Sequence, residues 1–374
     1  MTEKERFPGV VLRFCRREPV LLISALAAAA SCFFVPPDGA YIDYIDFRTL
    51  ALLYCLMLVV AGLRNAGVFE RLAHAVCARA RSTRSMALLL ILLSFFSSML
   101  ITNDVALLTF VPFAVVLLGM TGRRQDLILV VVGQTVAANL GSMLTPVGNP
   151  QNLYLYSYYH FRAGEFFGIT APLWGLSLLL TVALGLLLPR AGLNPFLGET
   201  PEMDRKRLWA YLGLFSLCLL TVFRLFPWPA MLLAVIAAVF VLDRKLLKSA
   251  DYMLLLTFAA FFIFAGNLAR LEAVDLLLRR LLAGREYLTA LLTSQVISNV
   301  PAALLLSGFT DSGRELLLGV DVGGLGTPIA SLASLISLKL YSRSQDAHTG
   351  KYLLIFILVN MALLLLLSLA RLVL

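Results

Sequence analysis

Charge is scarce in these 374 residues: only 14% are Asp, Glu, Lys or Arg, against 60% hydrophobic residues and a mean hydropathy of +0.88. So little polar surface cannot wrap the two or three soluble domains this length would otherwise suggest, and a soluble globular enzyme is excluded. Histidine is rarer still, with three residues (His74, His160, His348) in loops or amphipathic stretches and none paired at ligand spacing. The five cysteines (Cys15, Cys32, Cys55, Cys77, Cys218) are scattered and lack any Cys-x-x-Cys, so they read as small core residues. No HExxH, GxSxG or paired acidic metal motif occurs, which argues against intramembrane enzyme chemistry, and no GxxxxGK[ST] loop is present to bind ATP. The net charge of +9 is spread between apolar runs rather than along one stripe, so nucleic acid is not an expected partner.

What is abundant is apolar sequence in long runs. At about 20 residues per crossing the chain accommodates on the order of ten membrane segments, which predicts an all-α polytopic membrane protein with lipid as its surroundings. Lys4, Arg6, Arg13, Arg16 and Arg17 precede an apolar run over 19–35 that imitates a signal peptide. That run is of full spanning length and no clean A-x-A site follows it before Pro36-Pro37, so it reads as an uncleaved first helix behind a cytoplasmic tail at 1–18. Positive loops stay in the cytoplasm. Residues 64–84, 189–207, 243–248 and 342–351 therefore face inside and 37–47 outside, with the C-terminal helix ending outside, in a cytoplasmic (inner) membrane. Arg279, Arg280 and Arg285 fall outside on this topology, against the rule.

Residues 86–120 have basic flanks at both ends and a polar Thr102-Asn103-Asp104 in the middle. Two half-length helices meeting at a polar tip, a re-entrant hairpin, fit this pattern; two short crossings with a turn at Thr102 keep the same parity. Three landmarks then recur in one order. VAGLRNAGVFE (60–70) returns as FAGNLARLEAV (264–274), and FFSSMLITNDVALLTFVPF (95–113) as TSQVISNVPAALLLSGF (293–309), with Asn103 over Asn299. GSMLTPVGNPQNLYLY (141–156) returns as GGLGTPIASLASLISLKLY (323–341), with Thr145-Pro146 over Thr327-Pro328. An odd number of crossings separates the copies, so the second is inverted. The expected division is a first repeat at 19–188 (hairpin 86–120, broken helix 127–160), a loop and linker helix at 189–227, and a second repeat at 228–374 (hairpin 287–312, broken helix 314–341).

Each Thr-Pro ends a helix inside the membrane, exposing carbonyls on one side and amides on the other. Half-helix N-termini suit an anion, whereas unwound carbonyls with Asn, Ser and Thr oxygens suit Na⁺. Asp104 is the first candidate, because a mid-membrane carboxylate is costly and is a natural H⁺ or Na⁺ carrier; its bland alternative is a helix N-cap. Asp321, just before the second break, is a second titrating candidate or a polar loop end. Asn103 and Asn299 serve the site or satisfy hairpin backbone. Gly148, Asn149, Gln151 and Asn152 put more polarity at the first break than a kink requires, with helix capping as the alternative, and Thr145 joins them. Tyr154, Tyr156, Tyr158 and Tyr159 read as an interfacial belt.

TNDVALLTFVP, TPIASLASLISLKLY, the Ser-Asn-Val-Pro tip and GNPQNL resemble the ion transporter superfamily of divalent anion symporters, citrate transporters, arsenite exporters and some Na⁺/H⁺ antiporters, over roughly 45–374. The resemblance implies an elevator-like secondary transporter. By position it implies a first half-site at Thr102, Asn103, Gly148 and Asn149 and a second at Ser298, Asn299, Thr327 and Ser331, with Na⁺ near Asn103, Gly148 and Asn299. For some branches it implies a homodimer. The symporter branch carries Ser-Asn-Thr at both tips, but here they read Thr-Asn-Asp and Ser-Asn-Val, a departure that puts dicarboxylate specificity in question. The expected activity is cation-coupled movement of a small anion or oxyacid, with Na⁺ or H⁺ as coupling ion. Metalloid efflux, Na⁺/H⁺ antiport and a passive anion channel are the alternatives.

Overall fold

Helices account for nearly all the regular structure in the computed structural model, which describes residues 19–120, 122–192, 202–345 and 347–373. No strand occurs among the described residues, and seven of their helices are long and apolar enough to cross a bilayer. The chain is an all-α polytopic membrane protein. The expected tail at 1–18, with Cys15, and residues 193–201 of the expected loop lie outside the described residues. Cys55 and Cys218 are buried, as small core residues are.

The first half runs α1 (Pro19–Phe34), α2 (Phe47–Asn65), α3 (Val68–Cys77), α4 (Thr83–Ile101), α5 (Asn103–Met120), α6 (Leu127–Gly141), α7 (Pro150–Tyr158) and α8 (Ala163–Leu186). Local chemistry starts these helices where they start. Asp46 accepts the Thr49 amide at 3.0 Å to open α2, and Ser82 and Ser85 close a reciprocal capping box at the head of α4. After α9 (Arg205–Val222), opened by Asp204, the second half runs α10 (Trp228–Leu242), α11 (Tyr252–Ala269), α12 (Glu272–Leu282), α13 (Glu286–Ile297), α14 (Asn299–Ser307), α15 (Gly313–Gly323), α16 (Leu332–Ser342) and α17 (Thr349–Ala370). Its element order repeats that of the first half: two apolar helices, an amphipathic one, a hairpin, a broken helix and a long apolar helix.

Packing follows a rule of exchange. Within each half, the first hairpin arm lies on the first segment of the broken helix, α4 on α6 and α13 on α15. Between halves, the second arm lies on the other half's second segment, α5 on α16 and α14 on α7. The outer helices exchange likewise, α1 packing on α11 and α10 on α2. Glycine makes the arm-to-helix contacts close. A Cβ on Gly141 would stand 2.0 Å from the Phe95 carbonyl oxygen and 2.8 Å from Ser98 Oγ. Gly323, at the matching place in the second half, faces Leu291 and Ser294, with Ser294 Oγ at 2.9 Å from the same imagined atom.

Two expectations change. The arms of the first hairpin are not half-length: α4 has 19 residues and α5 has 18, whereas α13 and α14 have 12 and 9. The Ser82 cap starts α4 three residues ahead of its apolar run, and α5 fills the whole stretch from the tip to Met120. The tip of this hairpin nonetheless stops at the break between α6 and α7, and α7 continues for 9 residues, or about 13 Å, beyond it. Tyr154 and Tyr156 are buried rather than belt residues, because α14 and α2 cover α7; Tyr154 Oη lies 2.8 Å from Ser307 Oγ. Only Tyr158 of the four is exposed.

Gly141→Ala should lower stability by about 1–3 kcal/mol through forced backbone separation. Gly323→Ala, opposed by a hydroxyl and a less intimate backbone, should cost less; thermal unfolding in detergent that ranks the two equally would contradict this packing.

Candidate solute and ion site

The two hairpin tips share one unusual backbone conformation. Thr102 has φ 67° and ψ 149°, and Ser298 has φ 76° and ψ 154°, a region that glycine occupies at little cost and other residues at about 1–3 kcal/mol. Each strained residue is followed by an asparagine that opens the second arm. Asn103 Oδ1 accepts the amide of Asp104 at 2.9 Å, and Asn299 Oδ1 accepts that of Val300 at 3.0 Å. Both asparagines therefore satisfy hairpin backbone while their Nδ2 groups stay available.

Against the tips lie the two breaks. The first is a tight turn at Ser142–Leu144 followed by Thr145-Pro146 and ended by Pro150, which pre-sets the first turn of α7. The second follows Gly323-Gly324 and Thr327-Pro328 and ends at Ser331, where α16 starts. The threonines of both breaks reach back to the hairpins: Thr145 Oγ1 donates to the Met99 carbonyl, and Thr327 Oγ1 to the Gln295 carbonyl at 3.2 Å. Met99 and Gln295 each stand four residues before the tip asparagine, so both hydroxyls are tied to the frame. Gly148 acts through its backbone, its carbonyl accepting the Asn103 amide at 3.2 Å. A Cβ on Gly148 would meet the Ser142 carbonyl oxygen at 2.1 Å.

Asn139, on α6, joins the halves. Its Oδ1 accepts from Asn103 Nδ2 and from Ser331 Oγ, both at 3.0 Å, and its Nδ2 donates to Ser334 Oγ at 3.3 Å and the Gly324 carbonyl at 3.5 Å. Asn299 reaches the same place from the other tip, its Nδ2 lying 3.0 Å from where a Gly324 Cβ would be. Asn103 and Asn299 are thus brought to either side of one amide and one glycine. Sequence reasoning passed Asn139 by, because it is embedded in an apolar run. One signal was available: Asn139 stands six residues before Thr145, as Asp321 stands six before Thr327.

Asp321 occupies the exchanged position. Gln151 Nε2 donates to its Oδ1 at 3.4 Å, and the Asn152 amide is a second neighbour, mirroring the pairing of Asn139 with Ser331 and Ser334. Asp321 Oδ2, Asn149 Oδ1 and Asn152 Oδ1 are buried without a hydrogen-bond partner. Unpartnered buried oxygens of this kind are rare and costly in proteins.

A cavity of about 570 Å³ leads to this region. Thr102, Asp104, Asn149 and Pro150 line its inner end, and Arg64, Lys245 and Asp251 its mouth. Asp104 does not cap α5 with its side chain; its Oδ1 is buried and unpartnered, and Asp251 is close enough for the two carboxylates to repel. Asp321, Gln151 and Asn152 are buried and do not line this cavity, whereas Asp104 does. Four helix N-termini, those of α5, α7, α14 and α16, converge here with their partial positive charge.

The sequence profile described as citrate transporter matches residues 10–312. The inner membrane protein YbiR of Escherichia coli is 32% identical over 337 residues, 88% of this chain and 89% of that protein. A Methanocaldococcus jannaschii protein described as an uncharacterized transporter is 31% identical over 323 residues, covering 83% of this chain and 85% of the relative. A silicon efflux transporter of rice (Oryza sativa subsp. japonica) shares 32% identity over 119 residues, 32% of this chain and 24% of that protein.

Asn139→Leu should strand the Asn103 amide and the Ser331 hydroxyl and destabilise the fold by about 2–4 kcal/mol. Thermal unfolding of the purified variant checks it; a melting curve like that of the parent would show that the two halves are not joined here.

Proposed function

Because the chain belongs to the citrate transporter family, we propose that it is a cation-coupled secondary transporter that moves a small anion or oxyacid across the cytoplasmic membrane by alternating access. The observation that carries this reading is the pair of amide-bearing tips meeting across Asn139 and Gly324, with Thr102 and Asp104 of the first tip lining a cavity. In this reading the two halves are inverted repeats with re-entrant hairpins, the N-terminus is inside, and the cavity is the inward-open path. Solute sits between Thr102, Asn103 and Asn149 on one side and Ser298, Asn299 and Ser331 on the other, facing the helix N-termini. Asp104 faces the cavity and exchanges Na⁺ or H⁺ with it, while Asp321, buried beside Gln151 and Asn152, is the second carrier of the coupling charge.

A solute with two negative charges would meet the Asp104 carboxylate and no basic residue at the inner end, since Arg64 and Lys245 stand at the mouth. This favours a weakly charged oxyacid over a dicarboxylate and gives substance to a second reading, efflux of a metalloid hydroxide. The partial likeness to a silicon efflux transporter points the same way.

In proteoliposomes, solute should accumulate only under an imposed Na⁺ or pH gradient, with citrate, succinate, silicic acid and arsenite tested side by side. Asp104→Asn should cut gradient-driven accumulation to the level of leak. Asp321→Asn should keep solute exchange but lose its response to the gradient. Flux indifferent to both gradients in the parent protein would overturn coupled transport in favour of a passive pore.

A further inference from the structure

On the face opposite the cavity mouth lies a second pocket, of about 540 Å³. Arg48 and Arg64 sit near opposite ends of α2, about 24 Å apart along its axis, so the two openings belong to different sides of the membrane. Arg48, His160 and Arg224 form one wall of this pocket, and the turn Phe226-Pro227-Trp228 forms the other.

Neither arginine has a carboxylate within ion-pair distance among the described residues. Arg48 donates to Ser157 Oγ at 3.1 Å and to the carbonyls of Thr221 and Val222 at 3.1 and 3.3 Å. Arg224 donates to the carbonyls of His160 and Tyr156, both at 3.3 Å, approaches His160 Nδ1 at 3.4 Å and stands over the Tyr156 ring at 5.6 Å. The nearby Asp46 carboxylate is committed to capping α2 through the Thr49 amide and hydroxyl. Part of this is ordinary capping, Arg48 at the end of α9 and Arg224 at the end of α7. A helix end supplies only about half a charge, however, and the two guanidiniums repel each other, so positive charge is left over. The Nε group of each guanidinium has no protein acceptor among the described residues.

Backbone strain singles out the same place. The described residues contain four non-glycine positions with φ in the left-handed region: Thr102 and Ser298 are the hairpin tips, and the other two are His160 (φ 52°) and Arg224 (φ 63°). Both follow helix C-termini where glycine is the usual residue, and both retain a side chain that reaches the pocket. The apolar wall, with exposed Leu225 beside Trp228, has the composition of a membrane–water boundary.

We propose that this pocket binds the phosphate of a membrane phospholipid headgroup, held by the charge and the uncommitted Nε–H groups of Arg48 and Arg224, with Leu225 and Trp228 against the start of the acyl chains. The bound phosphate neutralises the residual charge and fastens the end of α7 to α2 and α9. The other end of α7 carries Asn149, Gln151 and Asn152, but the proposal does not depend on what the central site transports.

The test is the thermal midpoint of the purified full chain in maltoside detergent, with short-chain phosphatidylglycerol, with the matching phosphate-free diacylglycerol, and with inorganic phosphate. Phosphatidylglycerol should raise the midpoint by about 5 °C at saturation, and diacylglycerol should not. Arg48→Gln and Arg224→Gln should each remove most of that rise, while Arg280→Gln, exposed on α12, should keep it. If Arg48→Gln does not purify as one species, the exposed Arg224 decides alone. A rise that survives Arg224→Gln, or that diacylglycerol reproduces, would overturn the site. Inorganic phosphate giving the whole rise would overturn lipid as the source.

Discussion

A helix interrupted inside lipid leaves amides and carbonyls with no water to satisfy them, and the closing of two such interruptions governs the rest of this fold. Each break is closed by protein from two directions. Its own hairpin takes the threonine hydroxyl, at Met99 or Gln295, and in the second half Gln295 also ties down the carbonyls of Gly323 and Leu325 and the amide of Thr327. In the first half Asn152 Nδ2 reaches the carbonyls of Ser142, Met143 and Thr145, while across the halves Asn139 Nδ2 donates to the Gly324 carbonyl and pairs with Ser331 and Ser334, and Gln151 donates to Asp321. The glycines at 141 and 323 follow from the same demand, because only without a side chain can the hairpin arm come close enough.

Within this matched frame the carboxylates are unmatched. The place of Asp104 on the first tip is taken by Val300 on the second, and the place of Asp321 on the second broken helix is taken by Asn139 on the first. Asparagine has nearly the shape of a protonated aspartate, so Asn139 illustrates how the Asp321 pocket looks with its charge removed. The element order repeats, but these carboxylates stand on one hairpin of the first half and one broken helix of the second, so the two halves differ chemically.

Much of the architecture was legible in the sequence because its marks are local: basic flanks, a polar tip, a Thr-Pro and their recurrence in order. Asn103 and Asn299 open the second hairpin arms, and Asn149-Pro150 of GNPQN begin α7. Asn139 was hidden because one amide in an apolar helix looks like any tolerated polar residue until a partner from about 190 residues away lies beside it. Arm length in the first hairpin was misread because hydropathy marks the apolar stretch and not the cap that starts the helix. Tyr154 and Tyr156 were assigned to a boundary because burial by a distant helix leaves no trace in local composition. Arg48 and Arg224 carried no sequence signal at all, being single charges whose meaning comes from the backbone conformation around them.

The exchange between halves also sets a problem of timing during synthesis. Asn139 enters the bilayer well before Ser331 and Ser334 exist, and at roughly 5–20 residues per second the intervening chain takes on the order of ten to forty seconds to emerge. Throughout that interval Asn139 has Asn103 beside it but lacks the two serines and the Gly324 carbonyl that complete its hydrogen bonds. A nascent chain in this condition needs a temporary companion, whether the insertion machinery or water drawn in beside Asn103, and any delay in the second half lengthens the period in which a quality-control protease finds it.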